Sequence, residues 1–448
     1  MQSLESRFES VPFKAGVIAG LTLLMLWPLM RVENLVTERQ VLQHQAYDVI
    51  AAGFGGAQIV GAPILTVEAL ERSVATDTHT LIGTETWTPE EIHLLPDDVQ
   101  ITSDATVEIR SKGIYSVPVY VSKIVITGQF KPESIARLLS SNAETRVLPA
   151  HAVVQLPLSE AKFLRNLARF NVGGQSLRAG SGQVAGFAAL SAPIDLQTID
   201  RATALPFRLE LEIAGSESLQ FLPLGSATNV TAQIGWPHPD FDGAFLPVSH
   251  ELRVDGYTAR WQVLELNRAV PQLWRGESLG PTALLGTAFG VRLYQPADIY
   301  SQNYRAVRYG ILFVAITFAC FFAWEHLVRG LRLHPMQYLL VGLALATFYL
   351  LLLALSEHTG FGMAYAFAAG ALVALITLYI AGATTNPRPA LGIGAALSAS
   401  YAALYVILVS DDNALLYGSL LLFAILAALM LATRRFDWAK GENRGRAT

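Results

Sequence analysis

Hydrophobic residues are unevenly distributed along the 448-residue chain. One long apolar run covers about Val11–Met30, interrupted only by Lys14. Five more crowd the last third, at about Val307–Val328, Met336–Leu355, Phe361–Ile380, Ala390–Ser410 and Ala414–Thr433. A helix needs roughly 20 apolar residues to cross ~30 Å of hydrocarbon, and each run suffices. The pattern predicts six membrane-spanning helices, with a large domain between the first and second.

Beyond Met30 the texture changes. Val32, Leu35, Val36, Leu42, Ala46, Val49 and Ile50 keep a helical spacing, so the first helix is expected to continue as a stalk to about Ala52. The run Gly53-Phe54-Gly55-Gly56 ends it. Its glycines do not follow a strand or open a helix, which excludes a phosphate-binding loop. From Gln58 to Tyr304 short alternating segments dominate. Phe207–Ile213 alternates strictly, Val117/Val119/Val121 and Ile124/Ile126 do the same, and Tyr257–Leu266 and Phe289–Leu293 are further strands. Turns are expected at Leu95–Asp98, Ser111–Gly113, Ala214–Ser216 and Val254–Gly256. Two short helices are expected, Ser134–Leu139 after Pro132 and Glu160–Phe170 behind Ser159 as N-cap. The glycine-rich Val172–Gly186 reads as a hinge between two β lobes. The expected fold is an α-helical multi-span membrane bundle of about six helices, with a large, mainly β extracytoplasmic domain inserted after the first. In detail, 1–10 is an N-terminal segment and 11–30 the first span. Then follow a 31–305 domain (stalk 31–52), a 306–433 five-helix bundle and a 434–448 basic tail.

Composition agrees. Hydrophobic residues make up 52% and charged residues 15%, where soluble proteins carry roughly 25% charge; mean hydropathy is +0.38. A net charge of −4 offers no footprint for nucleic acid. The single cysteine excludes an intramolecular disulfide and a thiolate zinc cluster.

The first run has basic residues before it, as a signal peptide would, but Trp27-Pro28-Leu29-Met30-Arg31 offers no small-x-small cleavage site, so an uncleaved anchor is expected. Arg7, Lys14, Arg329, Arg332, Arg388, Arg434, Arg435, Lys440, Arg444 and Arg446 all fall at one side of the six-span pattern. By the positive-inside bias that side is cytoplasmic. Ser356–Gly360 and Asp411–Asn413 on the other side carry no Lys or Arg. The large domain then lies outside the cytoplasm, compatible with a periplasm, and both termini are cytoplasmic.

No catalytic constellation stands out: there is no G-x-S-x-G, no H-E-x-x-H and no two-histidine metal spacing. His79, His93, His151, His238 and His250 are scattered and read as surface or turn residues. No cofactor or metal is expected. Trp236-Pro237-His238-Pro239-Asp240-Phe241-Asp242-Gly243-Ala244-Phe245-Leu246-Pro247 is either a rigid buried loop or a docking loop, with Trp236 and His238 as its distinctive residues. Within the spans, charged groups are functional hypotheses by default. Arg308 can snorkel, Glu325 and His326 can anchor at the interface, and Pro335 after His334 suits a first helical turn. Glu357-His358 is a hydrated turn, or a proton-relay or partner-binding site; as metal ligands the two are too few without help. Asp411 and Asp412 read as solvated, Cys320 as a small apolar residue. Gly16/Gly20 and Ala366/Gly370 would let helices approach closely.

These segments resemble the CreD family of inner-membrane proteins. The similarity runs through Glu38-Arg39, Arg110-Ser111-Lys112-Gly113-Ile114-Tyr115 with Val119-Tyr120, and Trp236–Pro247. It continues in Asp298-Ile299-Tyr300, Arg305–Tyr309, Leu312-Phe313, Thr317-Phe318, Glu325, His334-Pro335 with Gln337–Gly342, and Ser356-Glu357-His358 with Gly360-Phe361. Leu158–Arg178 departs from the pattern. The resemblance implies a role in cell-envelope integrity and stress response, colicin tolerance on overproduction, and control by a two-component pair. It supplies no catalytic residue set. The expectation is a non-catalytic protein whose partners are the lipid bilayer and an envelope or periplasmic protein. The alternative is a transporter or lipid-handling module using the polar residues of the bundle. A membrane-embedded hydrolase is a third reading, without a nucleophile–base motif to support it.

Overall fold

The computed structural model describes residues 11–76, 83–200, 202–293, 298–327, 334–383, 387–410 and 414–433. Arg7, His79, Arg329, Arg332, Arg434, Arg435, Lys440, Arg444, Arg446, Asp411 and Asp412 lie outside the described residues, as does the His326 side chain. The chain divides into two compact units, 45–296 and a second made of 1–44 with 297–448.

Helix α1 (Val11–Leu24) is followed after Met25 by α2 (Leu26–Phe54). The break has a local cause: Pro28 has no N–H to give Leu24, and its ring crowds that carbonyl. The bonds Met25 N→Leu21 O at 3.1 Å and Leu29 N→Met25 O at 3.3 Å carry the axis through. The stalk stripe holds at the buried Val32, Val36 and Ala46, whereas Leu42 and Val49 are exposed. Gly55 at φ +122° ends the helix, and a Cβ there would meet Ala214 O at 2.5 Å.

The β unit begins with β1 (Gln58–Val60), β2 (Ile64–Thr76) and β3 (Gly83–Leu94). The hairpin β4 (Asp98–Lys112) and β5 (Tyr115–Phe130) follows, with Gly113 at φ +63° in its turn. Helix α3 (Pro132–Leu138) starts behind buried Asp97, which accepts from Lys131 N at 2.7 Å and Ser134 Oγ at 2.9 Å. Strands β6 (Thr145–Leu158), β7 (Leu164–Val172), β8 (Gln175–Ser176), β9 (Gly180–Val184) and β10 (Phe187–Ile194) come next. Then follow β11 (Leu205–Ser216), β12 (Ser218–Phe221), β13 (Ala227–Ile234), β14 (Pro239–Gly243), β15 (Ser249–Leu252) and β16 (Tyr257–Leu264). The unit closes with β17 (Leu273–Arg275), helix α4 (Pro281–Leu285) and β18 (Phe289–Leu293). Ten strands form one sheet, ordered β14-β18-β12-β1-β6-β2-β3-β17 with β10 and β9 branching from β6. Eight form the other, ordered β15-β16-β13-β4-β5-β11-β7-β8. Alternation puts Val99, Ile101, Ile124, Ile126, Leu209 and Leu211 into a core that both sheets share.

Four local expectations are corrected. Glu160–Phe170 is not a helix: a single 3₁₀ turn, Ala161–Phe163, leads into β7. Val172–Gly186 is not a hinge between lobes but a crossover between sheets over one core, with hairpin turns at Gly173-Gly174 and Ala185-Gly186. Ala214–Ser216 stays in β11, and the turn falls one residue later at Glu217, φ +62°. His93 is not a surface residue; it is 4% exposed.

In the second unit, α5 (Ile299–Leu327), α6 (Pro335–Thr359), α7 (Phe361–Ala383), α8 (Pro387–Val409) and α9 (Ala414–Thr433) form a bundle, with α1 packed on α5 and α6. Among the described residues, five runs are long and apolar enough to cross a membrane: 13–54, 299–322, 335–359, 361–382 and 390–409. Helix α9 adds 20 residues without a charge. Pro335 takes the first turn of α6, where His334 Nδ1 accepts from Met336 N at 3.2 Å and Gln337 Oε1 from His334 N at 2.9 Å. Among the described residues, close helix approach does not occur at Gly16, Gly20 or Gly370, where an added Cβ would touch nothing within 4 Å. It occurs at Gly342 against Met25 and Phe318, and at Gly310 against Leu29 and Tyr349. Cys320 is exposed rather than packed inside.

Candidate functional site

The bundle carries polar clusters at both ends of the α1–α2 axis. At one end Lys14 of α1 pairs with Glu325 near the end of α5; their side chains are 16% and 8% exposed. Tyr338, in the first turn of α6, donates to the other Glu325 oxygen at 3.3 Å. Phe318 and Phe321 enclose the Tyr338 ring. Low dielectric strengthens such a pair and makes losing one partner costly.

At the other end, Glu357 in the last turn of α6 faces into the bundle. Tyr300 of α5 donates to its Oε1 at 3.2 Å, and Arg39 Nε lies 3.6 Å from the same oxygen. Asn303, one turn along α5, donates to Ser356 Oγ at 2.9 Å and to Ile299 O at 2.7 Å. Ser356 Oγ in turn donates to Leu353 O at 2.8 Å. Gln302 and Asn303 are both buried, yet among the described residues Gln302 Oε1 and Asn303 Oδ1 find no hydrogen-bond partner. Gln43 of α2 donates to Asp298 Oδ1 at 3.2 Å, so α2 is tied to the start of α5 as well. Lys14 and Arg39 are 25 residues apart, which is ~37 Å along a helix. That span places the two clusters at opposite edges of a hydrocarbon layer ~30 Å thick.

The six residues singled out in the sequence do not converge. Glu357 and Glu325 anchor opposite clusters. His358 is exposed, turned away from Glu357 as neighbours on a helix are. Arg308 is exposed, its guanidinium 5.5 Å from the centre of the Tyr304 ring. Trp236 and His238 belong to the β unit and make an edge contact with centroids 6.2 Å apart. Most of the loop they open is rigid: Pro239–Gly243 is β14, Phe241 packs against Tyr257 and Trp261, and Trp261 Nε1 donates to Phe245 O at 3.2 Å. Sequence reasoning named Tyr300, Tyr338 and Ser356 in the family pattern but not their partners, missed Lys14 and Arg39 as bundle partners, and missed Gln302 and Asn303 altogether. Adjacent amides at Gln302-Asn303 in the first turns of an apolar helix were the available signal.

Among the described residues no three His, Cys, Asp or Glu side chains gather to hold a metal ion. The sequence that builds these elements matches a known family. The family model for CreD, described as inner membrane protein CreD, matches residues 10–439. The chain belongs to the CreD family. A curated CreD relative, "Inner membrane protein CreD" of Escherichia coli (strain K12), is 31% identical over 438 residues, 95% of this chain and 93% of the relative. CreD membership makes the chain a multi-pass inner-membrane protein. Among solved structures, "Structure of native yeast LTA4 hydrolase" overlaps 66% of this chain and 53% of its own, at 7% identity and a TM-score of 0.22. At that score it carries no argument about fold or function.

Proposed function

We propose that this CreD-family protein supports cell-envelope integrity without catalysis, through an extracytoplasmic β domain that engages another envelope protein. One observation carries the reading. Strand β15 is an outer strand of the eight-stranded sheet, and it and its flanks expose Val248 (73%), Leu252 (61%) and Val254 (99%). An open edge presents unpaired backbone groups as a template for an added strand. Val248 and Leu252 point to the same face by alternation, so an extended partner segment gains backbone bonds and apolar contact together. The 249–252 edge carries no lysine or proline that would block pairing.

The test is photocrosslinking from positions 248 and 252 of the full-length protein in cells, with a barrier assay of Leu252→Asp/Val254→Asp at normal membrane level. The expected result is one envelope protein captured from both positions and barrier function reduced to that of a null strain. Full barrier function in the double variant overturns the reading, and capture of a second copy alone replaces it with self-association. The charge bias supports cytoplasmic termini and a periplasmic domain. Reporter fusions after Gly215, Leu331 and Arg435 should then read outside, inside and inside.

A second reading, transport or lipid handling by the bundle, is favoured by the orphaned amide oxygens of Gln302 and Asn303 near Glu357. Buried polar groups without partners are uncommon, and here they lie in an apolar helix bundle. Barrier loss in Glu357→Gln and Asn303→Ala, with an intact β15 edge and normal membrane levels, would favour this reading over the first.

A further inference from the structure

The ten-stranded sheet holds a further polar cluster, on strands other than β15, which belongs to the other sheet. A cleft of about 330 Å³ is lined by His93, Glu91 and Glu277, with the turns at Ala185-Gly186 and Gly276 in its wall. That volume is at the lower end of ordinary small-molecule pockets. The turns keep the wall thin. Ala185 and Gly186 have φ +49° and +79°, and a Cβ at Gly186 would meet Pro281 at 2.9 Å. Gly276, at φ +54°, lies beside Glu90, whose Oε1 is 3.1 Å from where a Cβ would stand.

The hydrogen-bond chain behind His93 fixes its tautomer. Gln155 Nε2 donates to Gln183 O at 2.8 Å, which sets the amide and leaves Oε1 as an acceptor. Thr66 Oγ1 donates to that Oε1 at 2.7 Å, so its hydrogen is committed. The 2.9 Å contact between Thr66 Oγ1 and His93 Nδ1 must then run from Nδ1–H to the hydroxyl. Nε2 is left as a bare lone pair, with Glu91 Oε2 at 3.7 Å. Trp274 stacks on the ring at 4.9 Å and holds it in place. Burial pushes His93 down to about 4, so the ring is neutral at pH 7 and this contact is not an ion pair. Two acceptors face each other across an acid-rich cleft, an arrangement that a shared donor relieves. The neighbouring cation does not serve: Arg275 Nη1 donates to Thr145 Oγ1 at 3.2 Å.

We propose that this cleft binds a protonated primary amine, its N–H groups shared between His93 Nε2 and the Glu91 carboxylate, with Glu277 supplying further negative charge. One imidazole and one carboxylate in contact are too few to fix a divalent metal firmly. An ammonium needs only acceptors and compensating charge.

The experiment uses full-length protein in detergent micelles at pH 7, reading tryptophan fluorescence against a Trp274→Phe control. The probes are n-butylammonium, cadaverine and O-phosphoethanolamine, set against 1-butanol and tetramethylammonium. A saturable change with the primary amines, absent in the control variant and with both comparison probes, is expected. Tetramethylammonium has the charge but no N–H, so its failure isolates hydrogen-bond donation. Tighter binding of cadaverine identifies a diamine or lysine-like source; tighter binding of O-phosphoethanolamine identifies a lipid-headgroup source. Glu91→Gln is exposed enough to fold normally and should weaken n-butylammonium at least about tenfold, the usual scale of a charge-assisted bond. His93→Gln should do the same. The proposal is overturned by absence of saturable amine binding, by equal response to tetramethylammonium or 1-butanol, or by unchanged affinity in Glu91→Gln. Binding of Zn²⁺ that n-butylammonium cannot displace would overturn it in favour of a metal site.

Discussion

At the scale of single residues, ionic contacts tie helix ends of the bundle together. Lys14 and Glu325 are both largely buried, so neither is readily replaced by water as a partner. A double-mutant cycle with Lys14→Met and Glu325→Gln should give a coupling energy of ~1–3 kcal/mol, above the ~0.2–1 kcal/mol of an exposed pair. Thermal unfolding of the four proteins in one detergent measures it, and a coupling near zero would show that the pair is incidental. Glu357 and His358 make a sharper contrast, because they are adjacent in sequence and opposite in environment. Glu357→Gln loses the charge that Arg39 and the Tyr300 hydroxyl face and should destabilise the bundle by ~2 kcal/mol or more. His358→Ala, at an exposed position, should stay within ~0.5 kcal/mol. Equal effects would mean that the inward orientation of Glu357 is wrong.

At the scale of elements, what was legible in the sequence follows from how local its cause is. The long helices and the alternating strands β5, β11, β16 and β18 are written in single-segment periodicity. Pro335 and Pro132 mark helix starts by the same local rule. Strand β7 was not legible, for a definite reason. Leu164, Leu167 and Phe170 recur every three residues, as on a helix, yet they face Ile213, Leu211 and Leu209, which recur every two. Irregularities between Glu210/Leu211 and Glu212/Ile213 absorb one extra β7 residue each, so bulges disguised a strand as a helix. Partners far apart in sequence were equally hidden. Lys14 meets Glu325 across 311 positions and Thr66 meets Gln155 across 89, and no spacing rule connects them. Small-residue spacing misled because it marks where helices can approach, not where they do. Gly342→Leu should therefore cost ~1–3 kcal/mol by overpacking against Met25 and Phe318. Gly370→Leu has open space and should be neutral or slightly stabilising through helix propensity. Melting temperatures of the two variants in micelles decide the matter, and the reverse order would refute the packing assignment.

At the scale of the whole molecule, two units with separate cores need not unfold together, and pH offers a handle on one of them. His93 lies wholly within the β unit. Desolvation by burial moves its folded pKa from 6.5 to about 4. Between those values the unfolded chain binds more protons than the folded one, so acidification favours unfolding. The stability from keeping this ring neutral is complete above pH 6.5, is lost progressively as pH falls, and is gone near pH 4. At about 1.4 kcal/mol per pH unit of difference, the loss is ~3 kcal/mol. The nearest titratable group facing the ring is Glu91, whose negative charge opposes part of that loss by favouring the charged imidazole. The full-length protein in micelles should therefore show a β-unit transition that weakens from pH 7 to pH 4.5. In His93→Gln the same transition should be weaker at pH 7 and flatter with pH, because most of the linked proton uptake has been removed. Bundle unfolding, followed by proteolysis at the helix connections, should respond equally in both proteins. Comparing the two proteins at each pH cancels the titration of every other group. A parallel fall in both would show that His93 is solvated in the native protein and would remove the basis for its fixed tautomer.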